Sequence, residues 1–409
     1  MKKVYLKGPF LTQSGYGHHA RTIYRALKTR SDIFDVYVQP IPWGQTSWLW
    51  EDNDERKEYD ALLSKTIKYV NSGGQFDVSI QVTIPNEWEK LAPVNIGVTA
   101  GIETNIIAPE WIEKSTLMDR IITISKHSRD TFVGTVYEAI NNETQEKTSF
   151  RVETPVDYVS YPVIKHKPKK LDLNLTTDFN FLAVAQLSPR KNVDQLIKCF
   201  IEQFKDNENV GLIIKGNMAK NSKIDRINTL AGFKQLINST DHKCKIYLLH
   251  GYLTDEEMAG LYNHSKIKAF VSTTHGEGFG LPLFESAYHG LPVIATDWSG
   301  HVDFLYMPQK QKNGKTKQKH MFNKISYELK QVQQSAVWNG VIPEESKWAF
   351  PEEGSVKKNL EEMYKDHGRF KKRAKQLEKW LCQEFTEEKI YSQIVDLVGV
   401  EEEPDIVII

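Results

Sequence analysis

At 409 residues the chain exceeds what one ordinary hydrophobic core supports and suits two domains, which implies a cleft between them. Lysine plus arginine and aspartate plus glutamate stand at 53 each, so the formal net charge is zero and bulk charge recruits neither nucleic acid nor an anionic membrane. Three scattered cysteines (Cys199, Cys244, Cys382) form no CxxC pair, which argues against a thiolate metal site and for a reducing compartment.

Along the chain, short runs rich in Val, Ile, Leu and Phe alternate with longer amphipathic stretches, as in parallel strands covered by helices on both faces. Strands are predicted over 3–6, 35–41, 76–82, 94–100 and 120–125. Between the first two, Gly15 and Gly17 precede a helical repeat of Ala20, Ile23, Tyr24 and Leu27. The Lys/Pro-rich stretch "YPVIKHKPKKLDLN" (161–174) has no periodicity and reads as a linker. A second strand series follows over 179–187, 210–216, 245–251, 268–273 and 291–297, then consecutive helices over 355–398. The expected class is α/β with two doubly wound, Rossmann-like domains. Expected boundaries are 1–165 for an N-terminal domain, 166–380 for a C-terminal domain, and 381–409 for a helix and tail packing back on the first domain. The segment 308–324 holds six lysines and no acid, and reads first as a solvated hairpin, second as a contact for an anionic acceptor. The tail "VEEEPDIVII" fits disorder or an edge strand equally. No apolar run approaches a membrane span and the N-terminus lacks an apolar export segment, so a cytoplasmic location is expected.

The chemistry concentrates in "THGEGFGLPLFESAYHGLPVIATD" (274–297), where Glu277 and Glu285 are separated by seven residues. A dinucleotide turn needs G-x-G-x-x-G, but the third position is Leu281 counting from Gly276 and Leu283 counting from Gly278. At Gly15, Gly17 and Ala20 the pattern G-x-G-x-x-A follows a long loop instead of a tight turn, and Asp35 stands before the second strand instead of at its end. A glycosidase pair fails as well, because both acids lie on one loop–helix unit and approach a ligand from one side. What remains is a strand, a glycine turn, and a helix with Pro282 in its first turn, whose free N–H groups form an anion site at the sheet's C-terminal edge.

"EGFGLPLFESAYHGLPVIATD" resembles the E-x7-E signature of the family 4 retaining, nucleotide-sugar-dependent glycosyltransferases of GT-B architecture, and Gly290, Pro292 and Val293 continue the likeness. The resemblance implies that 1–165 binds the acceptor and 166–380 the nucleotide sugar, that Glu277, Gly278, Phe279, Gly280 and Leu281 face sugar and diphosphate, and that Glu285 grips the ribose. "VAQLSPRKNVDQLI" is similar to the family's segment whose lysine neutralises the leaving diphosphate. Lys191 matches that lysine, while Gln186 stands where the family has arginine. A glutamine donates a hydrogen bond without charge, so either Arg190 supplies the second cation or phosphate binding is weaker. "HGYLTDEEMAGLY" resembles the segment whose backbone near Tyr252 receives the nucleobase. Gly216 joins the donor set, and Gly15 and Gly17 match the glycine loop facing the donor across the cleft. Glu103 and Asn105 are the candidate acceptor or sugar contacts. For His18 and His19 a packing or solvent role is preferred to catalysis.

The reaction implied is transfer of a sugar, with retention, from a nucleoside-diphosphate sugar to an acceptor hydroxyl, with Glu277, Lys191 and Arg190 at the chemistry. No DxD-type pair stands out, so no metal or other cofactor is expected. The acceptor is expected to be a glycan or glycoconjugate. A modified base in DNA, or a non-catalytic nucleotide-sugar-binding protein, are the alternatives, and no oligomeric state follows from the residues.

Overall fold

The computed structural model describes residues 1–140, 147–237, 241–311 and 313–399. The tail from residue 400 onward therefore lies outside the described residues. The first half runs β1 (Lys2–Gly8), α1 (Gly15–Lys28), β2 (Phe34–Pro40), α2 (Asp54–Asn71), β3 (Val78–Val82), β4 (Val94–Thr99), α3 (Pro109–Ser115), β5 (Arg120–Thr123), α4 (Lys126–Gly134), β6 (Val136–Ile140), β7 (Lys147–Arg151) and β8 (Val156–Tyr158). The second runs β9 (Phe179–Gln186), α5 (Val193–Phe204), β10 (Val210–Asn217), α6 (Lys223–Ile237), β11 (Lys245–Leu249), α7 (Asp255–Tyr262), β12 (Ile267–Ser272), α8 (Leu281–Tyr288), β13 (Val293–Thr296) and α9 (Val302–Leu305). It continues through β14 (Tyr306–Lys310), β15 (Thr316–His320), β16 (Asn323–Ile325), β17 (Tyr327–Gln331), β18 (Lys347–Pro351), α10 (Glu353–Lys365), α11 (His367–Glu384) and α12 (Glu387–Val398).

Each half is built on a six-stranded sheet, in order β2-β1-β3-β4-β5-β8 and β11-β10-β9-β12-β13-β16. All neighbours within the two sheets are parallel. Parallel strands must be covered on both faces, which is why β3 and β13 are buried at every position. In β3 the buried polar groups are paired: the Ser79 hydroxyl donates to Asn95 Oδ1 at 2.8 Å, and the Gln81 amide donates to the Glu89 carbonyl at 2.6 Å. The ten expected strands are all present; the last strand of each sheet, β8 and β16, is three residues long and was not foreseen.

Local sequence explains the main helix of the first half. Ser14 caps α1 by accepting the Gly17 N–H at 2.9 Å, and Arg25 and Lys28 sit in its last turn, where the helix dipole favours cations. Its apolar face of Ala20, Ile23 and Leu27 joins β1 and β3 in one core, and Ile390, Ile394 and Val398 of α12 complete that core. The chain thus returns to the first half at its end. Residues 159–178, between the two sheets, have no regular structure. The lysine-rich 308–324 segment forms the antiparallel pair β14–β15, whose second strand is exposed throughout.

Candidate functional site

Both sheets present the C-terminal ends of their strands to a shared cleft. In the second sheet β9 lies between β10 and β12, so the chain winds outward in opposite directions from the β9/β12 boundary. In such sheets ligands bind outside the strand ends at this switch point. The two loops leaving it carry the notable side chains: after β9 comes a single 3-10 turn, Pro189–Lys191, and after β12 comes the turn 273–280.

The two loops interlock. The His275 N–H donates to the Arg190 carbonyl at 2.9 Å, and the Arg190 guanidinium donates to the Gly276 carbonyl at 2.7 Å. Lys191 Nζ then reaches Glu277 Oε1 at 2.5 Å and Arg190 reaches Oε2 at 3.1 Å. Arg190 also meets Glu103, from the loop after β4, at 3.4 Å. One acid of the first half and one of the second therefore share one guanidinium. Glu277 is 8% exposed and Lys191 14% exposed, so these charges interact with little water between them. Burial alone would raise the Glu277 carboxyl, but Lys191 and Arg190 outweigh it and hold it down at about 2. Burial lowers Lys191 from the usual lysine range despite Glu277.

Gly280 adopts φ +92, left-handed backbone that suits glycine, and there the chain turns into α8 with Pro282 in its first turn. Closer still is the approach of Gly276 and Gly278 to the first half. A Cβ on Gly276 would lie 2.2 Å from the Glu103 carbonyl oxygen, and one on Gly278 would lie 2.0 Å from that of Ala100. The seam between the halves is backbone against backbone. Ser299, itself at φ +80, accepts the Glu277 N–H on its hydroxyl at 2.9 Å and fixes the turn from behind.

Glu285 faces a second cavity, of about 670 Å³, that also contains Tyr252, His18 and Asp255. The Tyr262 hydroxyl donates to Glu285 at 2.7 Å. Burial, only partly offset by this hydrogen bond, pushes the carboxyl up to about 7. The first cavity, of about 720 Å³, holds Glu277, Arg190, Lys191, Glu103, Gln186, Gly216, Gly278, Gly280 and Leu281. Gly15 and Leu281 line both cavities, so the two adjoin at the start of α8. Lys215, which sequence reasoning passed over, lines the first cavity beside Gly216 and donates to the Gly251 carbonyl at 2.7 Å; burial lowers it to about 8.

Two of the expected residues, Gly17 and Asn105, stand differently, and Phe279 lines the first cavity with its ring buried. Gly17 lines neither cavity; a Cβ there would meet the Thr12 carbonyl oxygen at 2.4 Å, so its smallness serves the packing of α1 on its own preceding loop. Phe279 lines the first cavity as expected; it is 2% exposed, with its ring packed on Tyr161 and Phe304, so contact there falls to its main chain. Asn105 is absent from both linings and pairs with Lys347 instead, accepting its N–H on Oδ1 at 2.6 Å and donating its own N–H to the Lys347 carbonyl at 3.0 Å. That pairing ties the β17–β18 segment to the first half. His18 and His19 both set their rings edge-on to Tyr161, and burial lowers each to about 3, consistent with packing.

Residues 165–322, which carry Lys191, Glu277 and Glu285, match the family model described as "Glycosyl transferases group 1". That match covers the central stretch of the chain, less than half of its length. Among similar proteins, the chain is 33% identical over 118 residues to the serotype-specific mannosyltransferase WbdA of Escherichia coli, covering 29% of this chain and 13% of that one. It is 28% identical over 163 residues to a probable sucrose-phosphate synthase of Thermosipho melanesiensis, covering 36% of each. The chain thus spans well under two thirds of these relatives. In fold it resembles the sucrose-phosphate synthase of Thermosynechococcus elongatus, with TM-score 0.60 at 12% identity over 97% of this chain and 98% of that one. It also resembles Anabaena HepE, determined with UDP-glucose, with TM-score 0.57 at 13% identity over 97% and 99%. The two parallel α/β sheets facing one cleft are the GT-B architecture.

Proposed function

We propose that this chain transfers a sugar, with retention of anomeric configuration, from a nucleoside-diphosphate sugar to an acceptor hydroxyl. The observation that carries the reading is the pairing of Lys191 and Arg190 on Glu277 at the glycine turn, where the cavity meets the start of α8.

In the reaction the bond between the anomeric carbon and the phosphate oxygen breaks, and the diphosphate leaves with the electron pair. The bond from the acceptor oxygen to that carbon forms on the same face, and the acceptor proton passes to the departing phosphate oxygen. Negative charge grows on the diphosphate, and preorganised cations and N–H donors aimed there are the main source of acceleration. Lys191, Arg190 and the N–H groups opening α8 supply them in this reading, and Lys215 adds a fourth source of positive potential. Glu277 keeps the two cations apart and oriented, and, ionised at neutral pH, offsets positive charge on the sugar carbon. Glu285, in the adjoining cavity with Tyr252, accepts hydroxyl hydrogens of the ribose. Gln186 donates to the Met218 carbonyl at 3.3 Å, so Arg190 stands as the second cation of the site.

HepE, with its bound UDP-glucose, supports the donor class, and the mannosyltransferase and sucrose-phosphate synthase names support sugar transfer. The test is a melting-temperature screen of the intact chain against UDP-, GDP- and ADP-sugars in EDTA, since a ligand bound only by the folded state raises its melting temperature. NMR of the product formed from the hit then reads the anomeric configuration. No shift with any donor, or an inverted product, would refute the proposal.

A further inference from the structure

The donor end accounts for only part of the cleft wall. The same cavity is also lined by Trp43, Ile84 and Ile106 of the first half and by Trp338 and Trp348, which belong to a cap made by β17, β18 and the segment joining them. The cap is fixed to the first half. Asn86 donates to the Gly340 carbonyl at 2.9 Å and accepts the Trp111 indole N–H at 2.7 Å, and Asn105 holds Lys347.

Charge is confined to one end of this cavity. Its charged lining residues are Glu103, Arg190, Lys191, Glu277 and Lys215; the first four are paired together and the last is held by the Gly251 carbonyl. The lobe under the cap has none. It has aromatic surface instead: Trp338 is 57% exposed, and Trp43 lies stacked on Tyr16 with ring centroids 4.0 Å apart. Trp348 is fully buried against His275, and its indole N–H has no hydrogen-bond partner among the described residues. An unmet buried donor costs roughly 1–3 kcal/mol and is uncommon unless something else satisfies it.

We propose that the lobe under the cap is the acceptor subsite and takes an uncharged glycoside, whose ring lays its C–H face on Trp338 and Trp43. The proposal rests on the glycosyltransferase reading and narrows it. The C–H face of a sugar is apolar and weakly positive, which suits the negative face of an indole. A phosphodiester would instead lose its hydration in a lobe with no cation to pair it. The lysines of 308–324 that read as a contact for an anionic acceptor lie elsewhere: Lys319 and Lys324, with Arg369 and Lys372 of α11 and the acids Glu362 and Asp366, line a separate groove that shares no residue with this cavity.

The test probes the labelled intact chain on an array of neutral oligosaccharides, neutral alkyl and aryl glycosides, sulfated and phosphorylated glycans, and single- and double-stranded DNA. Neutral members should bind, and the oligosaccharide and glycoside arms show whether a second sugar or an apolar aglycone fills the rest of the lobe. Trp338→Ala and Trp43→Ala should each weaken that binding about tenfold, Trp338→Phe should retain most of it, and the double charge reversal Lys319→Glu/Lys372→Glu should leave it unchanged. Binding confined to DNA or anionic glycans, binding of no neutral member, or neutral binding unaltered in both alanine variants would overturn the proposal. The donor reading stands or falls separately, on nucleotide melting shifts that need none of these tryptophans.

Discussion

Replacing Glu277 by glutamine removes the one charge that Lys191 and Arg190 share while keeping the side chain's size. Its carboxyl lies at about 2 in the folded chain against an ordinary 4.5, a gap of about 2.5 units. At about 1.4 kcal/mol per unit this is roughly 3 kcal/mol of native stability at neutral pH. The folded value is depressed, so the contribution is complete above about pH 4.5 and is lost as pH falls toward 2. Glu277→Gln should therefore melt roughly 6–12 °C below the parent at pH 7, taking a domain of about 200 residues. The gap should shrink to about half near pH 3. Removing the carboxylate also removes its repulsion of an incoming diphosphate. The same variant should accordingly bind UDP, GDP or ADP at least as tightly as the parent while turning over more slowly. Differential scanning calorimetry at pH 7 and pH 3, with and without nucleotide, reads all of this. Equal melting at pH 7, or a gap that does not change with pH, would refute the argument that two cations on Glu277 set its ionisation.

Glu285 shifts the other way. Its folded value of about 7 means that ionisation at higher pH costs native stability, by at most roughly 3 kcal/mol between pH 4.5 and 7. Glu285→Gln should then melt above the parent at pH 8 and with it at pH 4, yet lose most of its nucleotide-induced shift; thermal melts at both pH values check this. Lys191→Ala should lower turnover by about 10²–10³ with a smaller change in donor KM, read by steady-state kinetics, because the cation acts most on charge present only in the transition state. Gly278→Ala puts a methyl 2.0 Å from the Ala100 carbonyl oxygen and should abolish transfer and speed proteolysis between the sheets, whereas Gly15→Ala, with no atom within 4 Å, should leave proteolysis unchanged.

The strands were legible because parallel strands covered on both faces need unbroken runs of β-branched and aliphatic residues, which little else in a polar chain imitates. β8 and β16 escaped notice because three residues carry no period, and they pair only with edges already built. The turn bearing Glu277 was legible from its residue types and its resemblance to a family. Its partners in space were harder to read: the Glu103–Arg190 contact joins residues 87 positions apart, and the Asn105–Lys347 pairing spans 242. Gly17, which lines neither cavity, and Phe279, which lines one with its ring buried, show one difficulty. Smallness and aromaticity serve packing and binding alike, and only the neighbours of the Gly17 Cβ position and of the Phe279 ring decide between them. The cap was invisible because "KWAFP" and "YELKQ" form a sheet of two strands whose seat, Asn86, lies in the other half.

The glycine seam has a bearing on how such chains diversify. Where Gly276 and Gly278 meet Glu103 and Ala100, the closest approach is to main-chain carbonyls, which every residue type presents alike. Side chains on the first-half loop can therefore change without losing the fit, provided the loop keeps its path. A docking surface written in backbone is a generic socket: under the proposed division of roles it would let one second half accept grafted first halves, and chimeras cut within residues 159–178 are the natural place to test this.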